Sequence, residues 1–173
     1  MPFRVLRVLL VLTSWLLAGP PALADASPEY RVKAGFLYNF IVFTTWPDEV
    51  GTTLPVCIYG RDPFGAELRV IEGRVVSGRR IELRYPDTRG ELKGCRVVFV
   101  PAAVESTASD LVAAVAGEPV LVVTDDPVAS GEGVMIRMLL HQSRVVFEVD
   151  LAAAQRSRLS LSARLLQLAT RVR

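Results

Sequence analysis

Residues 33–47 read KAGFLYNFIVFTTWP. Tyr30, Ala34, Leu37 and Ile41 recur at helical spacing, and Phe36, Phe40 and Phe43 make a second apolar row beside them, so more than half the circumference of the predicted helix is hydrophobic. Such a helix must be covered by something. Thr44 and Thr45 lower helix propensity and Pro47 pushes Trp46 out of the helical region, which ends the element. Two readings stay open: a core helix laid across a sheet, and an aromatic face of which Phe43 and Trp46 meet a partner protein.

The strands such a helix needs beneath it follow in order. Residues 54–59 (LPVCIY) are a short apolar run ending at Gly60. Asp62 and Pro63 then open a predicted helix over 64–72, as its N-cap and first residue. A turn at Ser77-Gly78 leads to residues 80–85 (RIELRY), whose strict alternation gives one wet face. Residues 95–100 (CRVVFV) and 120–124 (VLVVT) are further apolar runs, separated by a predicted helix over 110–116. Short apolar strands alternating with short helices predict a largely parallel sheet covered on both faces. Residues 134–140 and 144–149, joined through His141-Gln142-Ser143, predict an antiparallel hairpin, and Asp150 caps a long final helix over 151–170. The expected fold is a single α/β domain with a mixed, mostly parallel sheet of about six strands flanked by helices.

At 173 residues the chain can bury one core without metal or multiple disulfides. Its apolar excess is concentrated at the N-terminus. Arg4 and Arg7 supply a basic start, residues 8–19 are an apolar run, and Pro20-Pro21 precede Ala22-Leu23-Ala24, the small-x-small pattern after which a signal peptidase cuts. Residues 1–24 are expected to be a signal peptide and residues 25–173 the mature, exported domain; Ala24-Asp25-Ala26 offers a second cut. A transmembrane anchor needs about 20 apolar residues, and the prolines interrupt this run well short of that, so the mature chain is not expected to be membrane-embedded. Loss of Arg4 and Arg7 takes the formal charge from +2 to 0, and no basic stripe is left for nucleic acid.

Catalytic groups are scarce. His141 is the only histidine and no G-x-S-x-G surrounds any serine, so no Ser-His-Asp arrangement and no catalytic residue are expected. One histidine, two cysteines and scattered carboxylates give no zinc spacing, Asp125-Asp126 reads as a turn, and neither metal nor cofactor is expected. Gly131-Glu132-Gly133 lacks the third glycine of a dinucleotide fingerprint and precedes a strand, so it too reads as a turn. Residues 59–65 (YGRDPFG) lie between an apolar strand and a helix, where ligands of open α/β sheets settle. Gly60, Arg61 and Phe64 are the candidate small-molecule contacts there, against the alternative of an ordinary turn. Export would place Cys57 and Cys95 in an oxidising compartment, where they can pair only with each other within the chain. Two buried free thiols remain the alternative, because pairing needs close approach.

Taken in order, VKAGFLYNFIVFTTWP, LPVCIYGRDPFG, GCRVVFV, VLVVTDD and RVVFEVDLAAAQRSRLSLSARLLQLA resemble the YfiR-like family of periplasmic proteins, over residues 29–170. The resemblance implies a compact α/β domain with no known catalytic activity. It also implies a regulator that represses an inner-membrane diguanylate cyclase by binding its periplasmic sensor region. Release, through redox or envelope stress and with help from an outer-membrane-associated protein, then raises cyclic di-GMP and promotes biofilm. The periplasmic domain of a sensor kinase is the other partner class, and a homodimer is expected. Cys57 and Cys95 fall where the family carries a cysteine pair whose oxidation supports fold and activity. Relatives usually read Gly-Gly-Met-Ile-Asn where this chain reaches Arg137, which puts in doubt any contact that the asparagine serves. The rival class is a periplasmic small-molecule sensor or binding subunit of a signalling or transport system, using the edge near residues 60–65.

Overall fold

The computed structural model describes residues 27–102, 108–129 and 133–173. The expected signal peptide and its cut lie outside the described residues, as do Gly131 and Glu132. Helix α1 (Pro28–Val42) opens on a proline, whose missing N–H is no loss in a first turn. Ala34, Leu37, Phe40 and Ile41 are buried along it, the face that the periodicity predicts. Then follow β1 (Thr44–Thr45), β2 (Thr53–Ile58), α2 (Ala66–Arg69), β3 (Val75–Val76), β4 (Arg79–Arg84), β5 (Val97–Val100), α3 (Ala108–Ala114), β6 (Leu121–Thr124) and β7 (Ile136–His141). The chain ends with β8 (Arg144–Val149), α4 (Leu151–Arg156), β9 (Ser160–Leu161), α5 (Ala163–Leu168) and β10 (Arg171–Val172).

Eight strands form the main sheet in the order β10-β8-β7-β6-β5-β2-β4-β3. From β4 to β7 the neighbours are parallel; β3 and β8 are antiparallel additions, and β10 runs parallel to β8. The class is the expected one, with eight strands in place of about six, because the two-residue edge strands β3 and β10 are too short to leave a periodic pattern. Side chains alternate across the central strands. Val56, Ile58, Val97, Phe99, Leu121 and Val123 pack towards α1, α4 and α5, while Cys57, Tyr59, Val98, Val100 and Val122 pack towards α3. Burial on both faces is why these strands read as continuous apolar runs.

Two expected helices are shorter than their spacing suggests. The helix expected over 151–170 breaks after Arg156, where Arg158 takes a left-handed φ of 59°. Leu159 and Leu161 are buried on either side of exposed Ser160, a period of two, and β9 pairs antiparallel with β1. Ser162 restarts the chain as N-cap of α5, its Oγ accepting from the Leu165 N–H at 3.2 Å. The three serines at 157, 160 and 162 favour such turns and caps over helix interiors. The helix expected over 64–72 is reduced to α2, because Gly65 adopts φ 54° before it and the bonds after it, Ile71 N–H to Leu68 and Glu72 N–H to Arg69, tighten to three-residue spacing.

Candidate functional site

Parallel strands bring their carboxyl ends to one edge of the sheet, and chain direction reverses between β2 and β5, since β2 leads outward to β4 and β4 returns across it to β5. The first turn of α1 lies against this edge. The Tyr30 ring meets Phe64 edge-on at 5.5 Å, and Phe64 meets Phe99 at 4.7 Å. Lys33 reaches Asp125, just beyond β6, at 2.6 Å, with side-chain exposures of 5% and 1%. The Asp125 carboxylate also accepts from the Tyr30 hydroxyl at 2.8 Å and the Ala102 N–H at 2.8 Å, and Glu29 joins Lys33 from one helical turn away. Burial, reinforced by the Asp125 charge, pushes the Tyr30 hydroxyl well above the usual tyrosine range. Part of the crevice where ligands of open sheets usually settle is thus filled by the chain's own aromatic rings and a buried ion pair.

Beside it, towards β4, the edge opens. A cavity of about 640 Å³ is lined by Gly60, Asp62, Arg69, Glu72, Leu83, Tyr85 and Asp87. Asp62 accepts from the N–H groups of Phe64 and Gly65, which fixes the turn after β2. Glu72 accepts from the Leu83 N–H at 2.8 Å. Burial and the nearby Asp62 charge push the Tyr85 hydroxyl upward.

Cys57 and Cys95 are joined in a disulfide, with Cα atoms 6.0 Å apart. Both are buried in the layer under α3. The bridge ties β2 to the start of β5 and encloses everything between them, including α2, β3 and β4.

The residues singled out in the sequence do not converge. Gly60 lines the cavity and Arg61 is exposed beside it, but Phe64 is fully buried between Tyr30 and Phe99, so its ring is core. Trp46 is only 4% exposed, with its Nε1–H donating to the Arg96 carbonyl at 3.2 Å. The turn through β1 tucks it under the sheet. Phe43 is half-buried, with the Arg164 guanidinium 5.6 Å from its ring. His141 is exposed at the end of β7.

A family model described as YfiR/HmsC-like matches residues 30–170. The chain belongs to the YfiR/HmsC-like family. No curated protein sequence matches it significantly. The matched span of this YfiR/HmsC-like domain contains the buried ion pair, the disulfide and the acidic cavity. It also contains Arg137, whose guanidinium donates to the Ala129 carbonyl at 2.8 Å and to Glu148 at 2.6 Å, tying the segment after β6 to β8. That hydrogen bond holds the Glu148 carboxyl below the usual carboxylate range. Sequence reasoning missed both this clamp and the Lys33–Asp125 pair, because partners 11 and 92 residues apart carry no periodic signal.

Proposed function

We propose that this chain is a periplasmic, non-enzymatic regulator that binds and represses the periplasmic sensor region of an inner-membrane signalling protein, in the first instance a diguanylate cyclase. The family match over residues 30–170 carries this reading. The Cys57–Cys95 disulfide supports an oxidising compartment, and among the described residues no helix is long and apolar enough to cross a membrane. Residues 1–24 are taken as the export signal, and an outer-membrane-associated protein and a second copy of the chain as further partners. Phe43, still partly at the surface, stays in the proposed contact region; Gly60 and Arg61 stay at the proposed ligand edge.

The test is complex formation. The chain recovered from the periplasm after full-length expression is mixed with the periplasmic domain of the cyclase or sensor kinase encoded beside it, and run by size exclusion with light scattering. A stable complex, and a rise in cyclic di-GMP when the gene is deleted, are expected; neither appearing would end the proposal. The second reading, a small-molecule sensor, is favoured by the cavity at Gly60. Thermal shift against a metabolite panel tests it, since a ligand of the native state must raise the Tm.

A further inference from the structure

Among the described residues, β4 is covered on its outer side only part of the way. β3 pairs with Arg79 and Arg80, and Gly73 and Arg74 continue as far as Ile81. The Arg80 N–H bonds to Thr52, so in the parallel register with β2 the backbone groups of Arg80, Glu82 and Arg84 face β2, and those of Leu83 and Tyr85 point outward. The outward Leu83 N–H meets a side chain where a strand would be, the carboxylate of Glu72. This open stretch borders the cavity, where the carboxylates of Asp62, Glu72 and Asp87 face the single guanidinium of Arg69.

Guarding an edge against stray pairing needs a charged side chain and nothing more. Here the guard is one of three carboxylates around a volume large enough for a long side chain, on the flank of a strand whose outer side is open at Leu83. We propose that the outer edge formed by the end of β4 and Tyr85 just past it, residues 83–85, docks an extended segment of a partner protein that carries a lysine or arginine. A carbonyl of that segment replaces Glu72 on the Leu83 N–H, and the released Glu72 carboxylate, with Asp62 and Asp87, holds the basic side chain. The inference rests on the reading of the chain as a regulator that works by protein contact, and says where the contact falls. A small organic cation would use the carboxylates but not the strand edge.

The probe is a seven-residue peptide of alternating valine and threonine with a central arginine, titrated into ¹⁵N-labelled protein recovered from the periplasm after full-length expression. The amide resonances of Leu83 and Tyr85 are expected to move saturably, with the same peptide carrying a central glutamate at least tenfold weaker. Leu83→Pro deletes the outward N–H without touching the ladder to β2 and should abolish binding. Should that variant not fold, Glu72→Gln with Asp87→Asn leaves the backbone intact and should weaken the arginine peptide at least fivefold. Unmoved Leu83 and Tyr85 resonances, equal affinity for the two peptides, or unchanged binding in these variants would overturn the proposal. So would arginine amide alone binding as tightly as the peptide, which marks a small-cation site, or self-association through the same amides, which marks a contact between copies. Because the sensor domain is absent from this titration, its failure is distinct from failure of the complex test above.

Discussion

Replacing Cys57 and Cys95 together by alanine tests what the bridge does. The bonded residues are 38 apart, and closing a loop of that length in the unfolded chain corresponds to about 4 kcal/mol at 25 °C on the chain-entropy estimate. Native contacts change little by comparison, since β2 and β5 are hydrogen-bonded neighbours with or without the sulfur atoms. For roughly 150 folded residues, an unfolding entropy near 2.1 cal/mol/K per residue converts that loss into a fall in Tm of about 13 °C. Calorimetry of the oxidised protein and the double alanine variant measures it. Urea unfolding adds a check on the cause: a link acting through the unfolded chain compacts that state, so the m-value should rise when the link is gone. A fall under about 4 °C with an unchanged m-value would refute the reasoning and locate the bridge's role in the native state. The enclosed loop contains α2, β3 and β4, so amide exchange at Leu83 should quicken more in the variant than exchange at Val122 in β6.

Lys33→Met leaves the Asp125 carboxylate buried without its cation and should cost about 3–5 kcal/mol in urea unfolding, far above an exposed pair such as Arg84–Glu82. The raised Tyr30 hydroxyl stabilises the fold fully below the unfolded tyrosine value near 10 and progressively less as pH rises towards its folded value, so Tyr30→Phe should flatten the fall in stability between about pH 10 and 11. The lowered Glu148 carboxyl works in the opposite direction, its stabilisation present above pH 4.5 and lost as pH falls through the folded value. Arg137→Met removes the main cause, and the midpoint of acid unfolding, followed by circular dichroism, should move to higher pH. Gln142 and Ser143 both hold positive φ, 47° and 61°, in the two-residue turn between β7 and β8; replacing the pair with Asn-Gly should raise stability by roughly 1 kcal/mol in urea unfolding.

What was legible in the sequence was what repeats. The 3.6-residue period placed the buried face of α1, and the apolar runs between turn residues placed β2, β5 and β6, because strands covered on both faces leave no polar alternation to confuse the pattern. The hairpin of β7 and β8 lies within two residues of its expected bounds. What repeats for another reason misled: Leu151, Ala154, Leu161, Leu165 and Leu168 fit a helical stripe, yet Leu161 belongs to β9, where its alternation with buried Leu159 has a period of two over too few residues to outweigh a period of 3.6. Of the residues singled out, the cysteine pair is joined as its reading allowed, and Gly60 lies on the lining of a cavity. Aromatic residue type marked Trp46 and Phe64 as contacts, whereas their burial is decided by a turn and by Phe99, from distant parts of the chain.

The burial of Trp46 and Phe64 bears on where a domain of this fold can touch another protein. With Phe40 meeting Phe147 edge-on, Phe36 tilted against it, and Trp46 inside just beyond the helix, α1 and the turn after it spend most of their aromatic surface on the fold itself. Val32 and Leu140 remain exposed where the start of α1 meets the β7–β8 turn, around a smaller cavity of about 510 Å³ whose one carboxylate, Glu29, and one guanidinium, Arg144, leave no surplus of either sign. The segment from α2 to Tyr85, just past β4, combines more. Val70, Val75 and Tyr85 are exposed on it at 62%, 60% and 45%, and the outward backbone of Leu83 and the Glu72 and Asp87 carboxylates lie with Tyr85 along the larger cavity. Apolar side chains supply contact area, the open outer side of β4 at Leu83 supplies direction, and the negative surplus rejects the wrong charge. On the proposed reading of the chain as a partner in a protein complex, the β4 edge is therefore, beside Phe43, a surface where mutations should separate binding from folding.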